Sequence, residues 1–253
     1  MAVETTNLLL ITNLLQRANL LQQVNTRLVP TQIIPPGPSF NPAFISSGVS
    51  AGSGSTAVTI TTTGATLLVA ILSAVVDGTI SDSVGGQTNA WHYLTSAVQT
   101  DGNHVRIAYA YAATGGGALN SGSSHVLTMG GTDCVGVVYA FSGTATTSAV
   151  LDQSNQTSNA TSNQGQVYNV QAGSITPTVG ALVIMGAGNN GTLFGSSTDT
   201  LPTGFTGERK QTSGANYEIV AGCYKLNDTG SAENPTWVVN LNAYTGAVIA
   251  SFV

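Results

Sequence analysis

The stretch Thr66-Leu-Leu-Val-Ala-Ile-Leu-Ser-Ala-Val75 decides the fold class of this chain. It is almost wholly apolar, but it is far shorter than the ~20 apolar residues that cross a bilayer. The turn signal Asp77-Gly78 follows it after one further valine, Val76. A short apolar run with β-branched residues, bounded by turn residues, is typical of a strand. The stretch therefore predicts a β-strand and no membrane segment.

The same pattern continues through residues 46–253, where short apolar runs alternate with Gly/Ser/Asn/Asp clusters. This alternation is typical of an antiparallel β-sandwich. Predicted strands lie at 57–62, 66–75, 91–98, 104–112, 125–129, 135–142, 166–170, 181–187, 217–226, 236–241 and 247–253. The sequence thus predicts an all-β fold for residues 46–253.

Three pairs of segments in this β region resemble each other, in the same order and at nearly the same separation. They are Thr63-Gly-Ala-Thr-Leu-Leu-Val-Ala with Thr178-Val-Gly-Ala-Leu-Val-Ile-Met, Val105-Arg-Ile-Ala-Tyr-Ala-Tyr with Tyr217-Glu-Ile-Val-Ala-Gly-Cys-Tyr, and Val135-Gly-Val-Val-Tyr-Ala-Phe with Thr245-Gly-Ala-Val-Ile-Ala-Ser-Phe. An internal duplication explains them, although any two β-meanders share some likeness. Two similar halves that supply matching strands to one closed sandwich suit a jelly-roll.

The N-terminal residues 1–29 predict an α-helix. Its apolar positions follow the 3-4 spacing of a heptad seam, with Asn25 at one seam position. The seam residues are Ile11, Leu14, Ala18, Leu21 and Leu28. Such a helix must bury its seam against copies of itself, against another protein, or against its own β domain. A wide Leu/Ile seam favours three or more helices over two, so we expect a homotrimer.

Residues 30–45 predict an extended, semi-rigid linker, because they contain five of the eight prolines. This linker should hold the helix away from the β domain, which disfavours packing of the helix on that domain.

Composition excludes several partners. Charged residues make up 7% of the chain against a usual ~25%, so its surface should be polar but uncharged. The net charge is -5, and the six basic residues are scattered, so no basic stripe can neutralise nucleic-acid phosphates. The N-terminus carries Glu4 in place of a basic region, so we expect no signal peptide and synthesis in the cytoplasm.

No catalytic, cofactor or metal site is predicted. His92, His104 and His125 do not stand at metal-ligand spacing. The segment 77–82 could place oxygens around calcium, but it lacks the spacing of a calcium loop. No Gly-x-Ser-x-Gly elbow leads from a strand into a helix. We expect a protein that is not an enzyme.

Several acidic residues and the two cysteines are expected to have structural roles. Asp77, Asp101 and Asp228 occupy turn contexts, and Glu218 should alternate outward on its strand. Cys134 and Cys223 are expected to be two buried free thiols rather than a disulfide.

The two tryptophans receive different interpretations. Trp237 is expected in the core, whereas Trp91 could be core or an exposed ring that stacks on a sugar.

Several motifs resemble those of β-sandwich proteins encoded by tailed phages and prophages. They are Thr61-Thr-Thr-Gly-Ala-Thr-Leu-Leu-Val-Ala, Ile80-Ser-Asp-Ser, Val105-Arg-Ile-Ala-Tyr-Ala, Ala140-Phe-Ser-Gly and Leu151-Asp-Gln. The layout of helix, linker and sandwich is also similar to that of phage head decoration and fibre proteins. The resemblance implies a virion component attached through its N-terminal segment, with capsid or other virion proteins as partners, and it implies no catalytic residues.

An alternative is a receptor-binding, lectin-like tail fibre or spike. It would recognise host glycans through loops such as 77–91 and 189–200, with Trp91 as the candidate contact. A third hypothesis, a glycan-cleaving enzyme on the same fold, needs two converging carboxylates, and no such pair can be assembled from the strand registers.

Overall fold

A computed structural model describes residues 13–17, 40–50, 56–112, 118–146, 150–159, 166–190, 200–212, 218–241 and 245–253. The chain divides into two compact units, 1–39 and 40–253. In the first unit only residues 13–17 are described, and they are helical. The second unit is all-β and antiparallel, which confirms the predicted fold class.

The second unit consists of two halves, which we call the first half (residues 40–146) and the second half (residues 150–253). The strands of the first half are β1 (Ala43–Val49), β2 (Thr56–Ile60), β3 (Leu67–Ala74), β4 (Thr79–Ser83), β5 (His92–Tyr93), β6 (Ala97–Val98), β7 (His104–Tyr111), β8 (His125–Gly130) and β9 (Val135–Ser142). Those of the second half are β10 (Leu151–Asn159), β11 (Gln166–Gln171), β12 (Leu182–Asn190), β13 (Thr206–Thr212), β14 (Glu218–Lys225), β15 (Thr236–Leu241) and β16 (Thr245–Phe252).

Each half forms one large and one small sheet. The large sheets, which we call the inner sheets, have the orders β1-β9-β3-β7-β5, with β6 also on β7, and β10-β16-β12-β14-β13. The small sheets, the outer sheets, are β2-β8-β4 and β11-β15. Each half therefore has its own pair of sheets. The predicted all-β sandwich is confirmed, and its jelly-roll arrangement stays a prediction.

The two halves pair their strands in the same nested way. In the first half β1 pairs with β9, β2 with β8, and β3 with β7. In the second half β10 pairs with β16, β11 with β15, and β12 with β14. The three repeated sequence segments occupy the corresponding strands β3/β12, β7/β14 and β9/β16.

Local irregularities repeat as well. The first strand of each half carries a β-bulge at the matching place. In β1 the bulge is at Ile45, directly after Phe44, which pairs with Phe141. In β10 it is at Asp152, directly after Leu151, which pairs with Phe252. The turn before the third strand of each half contains a glycine with positive φ, Gly64 and Gly180. A shared bulge and a shared turn support an internal duplication, because neither is required by the fold class.

Three apolar clusters separate the four sheets, so the sheets stack as four layers. The middle cluster lies between the two inner sheets and includes Leu67, Ile71, Ile184 and Phe252. One outer cluster packs Leu127 and Met129 of β8 against the first inner sheet. The other packs Trp237 of β15 and Val170 of β11 against the second inner sheet. Trp237 is fully buried, which confirms its predicted place in the core.

Glycines of the second inner sheet lie directly against side chains of the first inner sheet. Ile71 of β3 lies directly over Gly186 of β12 and Gly222 of β14, so a methyl group added at Gly222 would stand 2.5 Å from Ile71 Cδ1. Val105 of β7 covers Gly188 and Gly246 in the same manner. Side chains of the first half thus fill the space that the glycines of the second half leave open, as close packing of protein interiors requires.

The buried inner strands were predicted well, and four edge strands were missed. The strands β1, β4, β10 and β13 were not predicted, and each lies at the edge of its sheet. The segment 91–98 forms the two short strands β5 and β6 in place of one. β1 includes residues 43–45 of the predicted linker, and Phe44 stacks on Tyr224 with ring centroids 5.3 Å apart.

Glu218 was expected to point outward, and this expectation is wrong. It shares its strand face with Val220 and Tyr224, which belong to the cluster between the inner sheets, and it is fully buried.

We predict that Gly186→Ala lowers the free energy of unfolding by about 1–3 kcal/mol, because its methyl group would overlap the stiff Cγ2 branch of Ile71. Ile71→Ala alone should cost about 2–5 kcal/mol by opening a cavity. The double variant should cost less than the sum of the two, and urea unfolding measures all three. Strict additivity would contradict the contact.

Candidate functional site

Only one of the five predicted oligomerisation residues lies among the residues that the structure describes. Leu14 lies in the helical segment 13–17 and is 62% exposed, and its neighbour Leu15 is 60% exposed. Ile11, Ala18, Leu21 and Leu28 lie outside the described residues. Leu14 therefore presents an apolar side chain on a helical turn, and the remainder of the seam stays a prediction.

Trp91, the candidate glycan contact, is half-buried at the rim of the outer cluster of the first half. Its indole N–H donates to Asp82 Oδ1 at 3.2 Å. The polar edge of the ring is thus engaged inside the protein, and only part of the apolar face is open. Most of the loop 189–200, the other predicted glycan contact, lies outside the described residues.

The Trp91 contact belongs to a buried network that joins β4, β8 and two loops. His125 opens β8, and its Nε2 lies 2.8 Å from Asp82 Oδ2 of β4. The other ring nitrogen, Nδ1, lies 2.9 Å from Thr62 Oγ1. Asn89 adds its backbone N–H to Asp82 Oδ1 at 2.9 Å. The network ties the edge strand of the outer sheet to the loops that flank it.

Burial opposes ionisation of Asp82, but hydrogen bonds from His125, Asn89 and Trp91 outweigh it and lower the pKa of this carboxyl below its ordinary value. The group is therefore a carboxylate at neutral pH, held without contact with water.

The residue types Thr62, His125 and Asp82 are those of a nucleophile, a base and an orienting acid. All three are buried, so the Thr62 hydroxyl cannot meet a substrate in this arrangement. The hydroxyl also accepts from the backbone N–H of Gly122 at 3.0 Å. The arrangement can hold loops in place, and it offers no route to acyl transfer.

A second polar cluster surrounds Asp77 on the surface. Its Oδ1 accepts from Ser96 at 2.6 Å and lies 2.8 Å from His104 Nδ1. Arg106 places Nη1 3.4 Å from Asp77 Oδ2 and covers the Tyr93 ring, 4.3 Å from its centroid. The Ser96 bond, with smaller help from His104 and Arg106, outweighs partial burial and lowers the pKa of Asp77.

Asp77 was expected to bond its own turn, and it instead fastens β7 to the segment after β3. The other two turn aspartates behave as predicted. Asp101 Oδ1 accepts from the backbone N–H of Asn103, and Asp228 Oδ1 accepts from that of Gly230.

Lys225 anchors a loop of the second half. Its Nζ lies 2.8 Å from Asp228 Oδ2 and 2.5 Å from Glu233 Oε1. Burial is the largest single effect and opposes the charge of Lys225, but the two carboxylates together outweigh it and raise the pKa of this lysine. Arg209 donates to Ser47 Oγ, and Lys210 pairs with Glu208. These basic side chains are thus engaged within the β unit.

Metal-binding potential is low in the described part of the chain, where no group of three or more His, Cys, Asp or Glu side chains could hold an ion. Asp82 turns into the protein, so the segment 77–82 does not gather its oxygens around one point. Cys134 and Cys223 are buried free thiols, as predicted, and burial raises the pKa of Cys134 to about 12. The described residues also contain no helix with the length and apolarity of a membrane span.

Comparisons of the chain with protein-family models, with curated proteins and with solved structures found no match.

Sequence reasoning missed the burial of His125 and Glu218, both of which are fully buried. His125 stands in the alternating segment His125-Val-Leu-Thr-Met, where Leu127 and Met129 are buried on the same face. That alternation places His125 on the inward face and could have revealed it. Nothing comparable was available for Glu218, because its strand is buried on both faces.

We predict that His125→Ala lowers the free energy of unfolding at pH 7 by about 3–5 kcal/mol, because it leaves the buried Asp82 carboxylate without its main partner. The matched change His104→Ala, at the surface cluster, should cost below about 1 kcal/mol. Urea unfolding of both variants provides the measurement. Equal losses of unfolding free energy in the two variants would contradict a larger contribution of the Asp82 network to stability.

Proposed function

We propose that this protein is a structural component of a phage virion, attached by its N-terminal segment and projecting its β unit from the particle. Attachment to the capsid, as a decoration or head-fibre subunit, is the form suggested by the similarity of the helix, linker and sandwich layout to phage head decoration and fibre proteins. The observation that carries the proposal is the exposure of Leu14 and Leu15 on a helical turn. Burying one such leucine contributes about 1.5–3 kcal/mol.

The β unit supports a mechanical role. Its four stacked sheets are held by three apolar clusters, and the polar groups at Asp82, Asp77 and Lys225 fasten its own strands and loops. We further propose that each half is a jelly-roll, because the nested pairing of first with last strand, second with last but one, and third with last but two is the pairing of a rolled hairpin.

Self-association would come from the N-terminal helix. In this proposal three copies bury the seam that contains Leu14, and the trimer multiplies weak contacts with the particle through avidity. Asn25 at a seam position would set the register at some cost in stability.

The lectin-like alternative depends on Trp91 and has weaker support, because the indole N–H is already bonded to Asp82. It remains open to a glycan array. Glycan binding that the wild-type protein shows and Trp91→Ala lacks would favour the lectin-like role over the capsid role.

We predict that the full-length protein is a trimer in light scattering and that a protein lacking residues 1–39 is a monomer. The deletion must end before Phe40, because the β unit begins there and Phe44 packs on Tyr224. Only the full-length protein should sediment with particles of the phage or prophage that encodes it. Particle binding by the truncated protein would refute attachment through the N-terminal segment.

A matched pair of lysine substitutions controls for general effects of charge. Leu14→Lys places a charge in the predicted seam and should give monomers, whereas Gln16→Lys lies on the opposite face of the predicted heptad and should leave the trimer intact. If both variants stay trimeric, the β unit assembles itself and the helix is free to serve as the anchor alone.

A further inference from the structure

Besides the apolar cluster between the inner sheets, a small buried polar cluster at one end of these sheets joins the two halves. Glu218 opens β14 in the second half, and its Oε2 accepts from Asn103 Nδ2 at 2.7 Å and from Ser73 Oγ at 3.2 Å. Both donors belong to the first half. Beside them, Gln99 Nε2 donates to the Gly188 carbonyl at 3.0 Å. This cluster therefore bridges the halves through side chains that are almost wholly buried.

Acceptors outnumber donors in this cluster. The Asn103 amide nitrogen is shared between Glu218 and Ser73, and the Gln99 amide nitrogen is taken by Gly188. Among the described residues, Gln99 Oε1 and Asn103 Oδ1 are buried and have no donor. A buried acceptor without a donor is costly, so one additional positively charged or donating species would stabilise the cluster.

The charges around Glu218 have the wrong sign to supply that species. Asp101, in the turn before β7, and Asp133, before β9, both add negative charge near the carboxyl. Arg106 and His104 of β7 are engaged by Asp77. Cys134 stays a neutral thiol, since burial raises its pKa to about 12. The neighbouring elements thus oppose a carboxylate at this position.

We propose that Glu218 holds a proton in the folded protein and that this proton couples the contact between the two halves to pH. A protonated carboxyl adds one O–H donor to a cluster rich in acceptors and removes a buried negative charge. When the proton leaves, the charge faces Asp101 and Asp133 in a low-dielectric site, and the contact of the hairpin Gln99–Asn103 with the second half weakens.

The expected pH range follows from the direction of the shift. Burial raises the pKa of Glu218 to about 7 from its ordinary value of 4.5, with help from Asp101 and Asp133 and against the hydrogen bonds from Ser73 and Asn103. The folded state therefore keeps a proton that the unfolded state loses above pH 4.5. Stability should fall as pH rises from 4.5 to about 7 and then level off. The pKa values of Asp77 and Asp82 are lowered, so the contributions of these two groups to stability change only in more acidic solution.

Urea unfolding of the full-length protein across this range tests the proposal, with a chelator present to remove divalent cations. For the wild type the unfolding equilibrium constant should rise by up to about 300-fold, the limit set by the two pKa values. Glu218→Gln, which keeps the shape and removes the charge, should show no such rise and should be the more stable protein above pH 7. The control Glu208→Gln, at a half-buried position on the edge strand β13, should follow the wild type.

Two further readouts keep the proposal falsifiable if Glu218→Gln folds poorly. Carboxyl chemical shifts of the wild type should place the Glu218 midpoint near 7, and a midpoint below about 5 would overturn the proposal. Amide exchange at the backbone N–H groups of residues 99, 102 and 103 should be faster in the wild type than in Glu218→Gln at about pH 8. Parallel pH profiles of the two proteins, or wild-type stabilisation by calcium that Glu218→Gln lacks, would also overturn it.

Discussion

The contact between Ile71 and the glycines of the second inner sheet is the constraint on which the rest of the structure depends. Two sheets with side chains on both inner faces normally stand about 10 Å apart. Here Gly186 and Gly222 leave room for Ile71, and Gly188 and Gly246 leave room for Val105. The inner sheets therefore pack side chain against backbone at these positions, and each inner sheet uses its other face to hold an outer sheet.

This packing also shows how the two halves differ. The strand registers make Ile71 equivalent to Gly186 and Ile107 equivalent to Gly222, since each pair occupies the same place relative to Phe141 and Phe252. Two identical halves would bring isoleucine against isoleucine or glycine against glycine. The first half now provides the large side chains and the second half the spaces. The same registers make Asn103 equivalent to Glu218, so the donor and acceptor of the bridging hydrogen bond also arose at matching positions.

The sequence revealed the strands that are buried on both faces, because those strands consist of unbroken apolar residues. β3, β7, β9 and their counterparts were found for this reason. The edge strands β1, β4, β10 and β13 were missed because one side of their backbone faces solvent and their side chains need not be apolar. β10 reads Leu-Asp-Gln-Ser-Asn-Gln-Thr-Ser-Asn, and β13 carries Glu208, Arg209 and Lys210. Polar edges of this kind also discourage unwanted pairing with other sheets, so the property that hid these strands protects the fold.

The candidate site was harder to predict than the strands for a related reason. Alternation along a strand tells which residues share a face, but it does not tell what covers that face. Asp82 and His125 meet only because β4 and β8 are neighbours in an outer sheet, and Glu218 is buried only because a second half lies over β14. Their chemistry is a product of the stacking of layers. The ionisable groups described inside the β unit therefore act on its own stability.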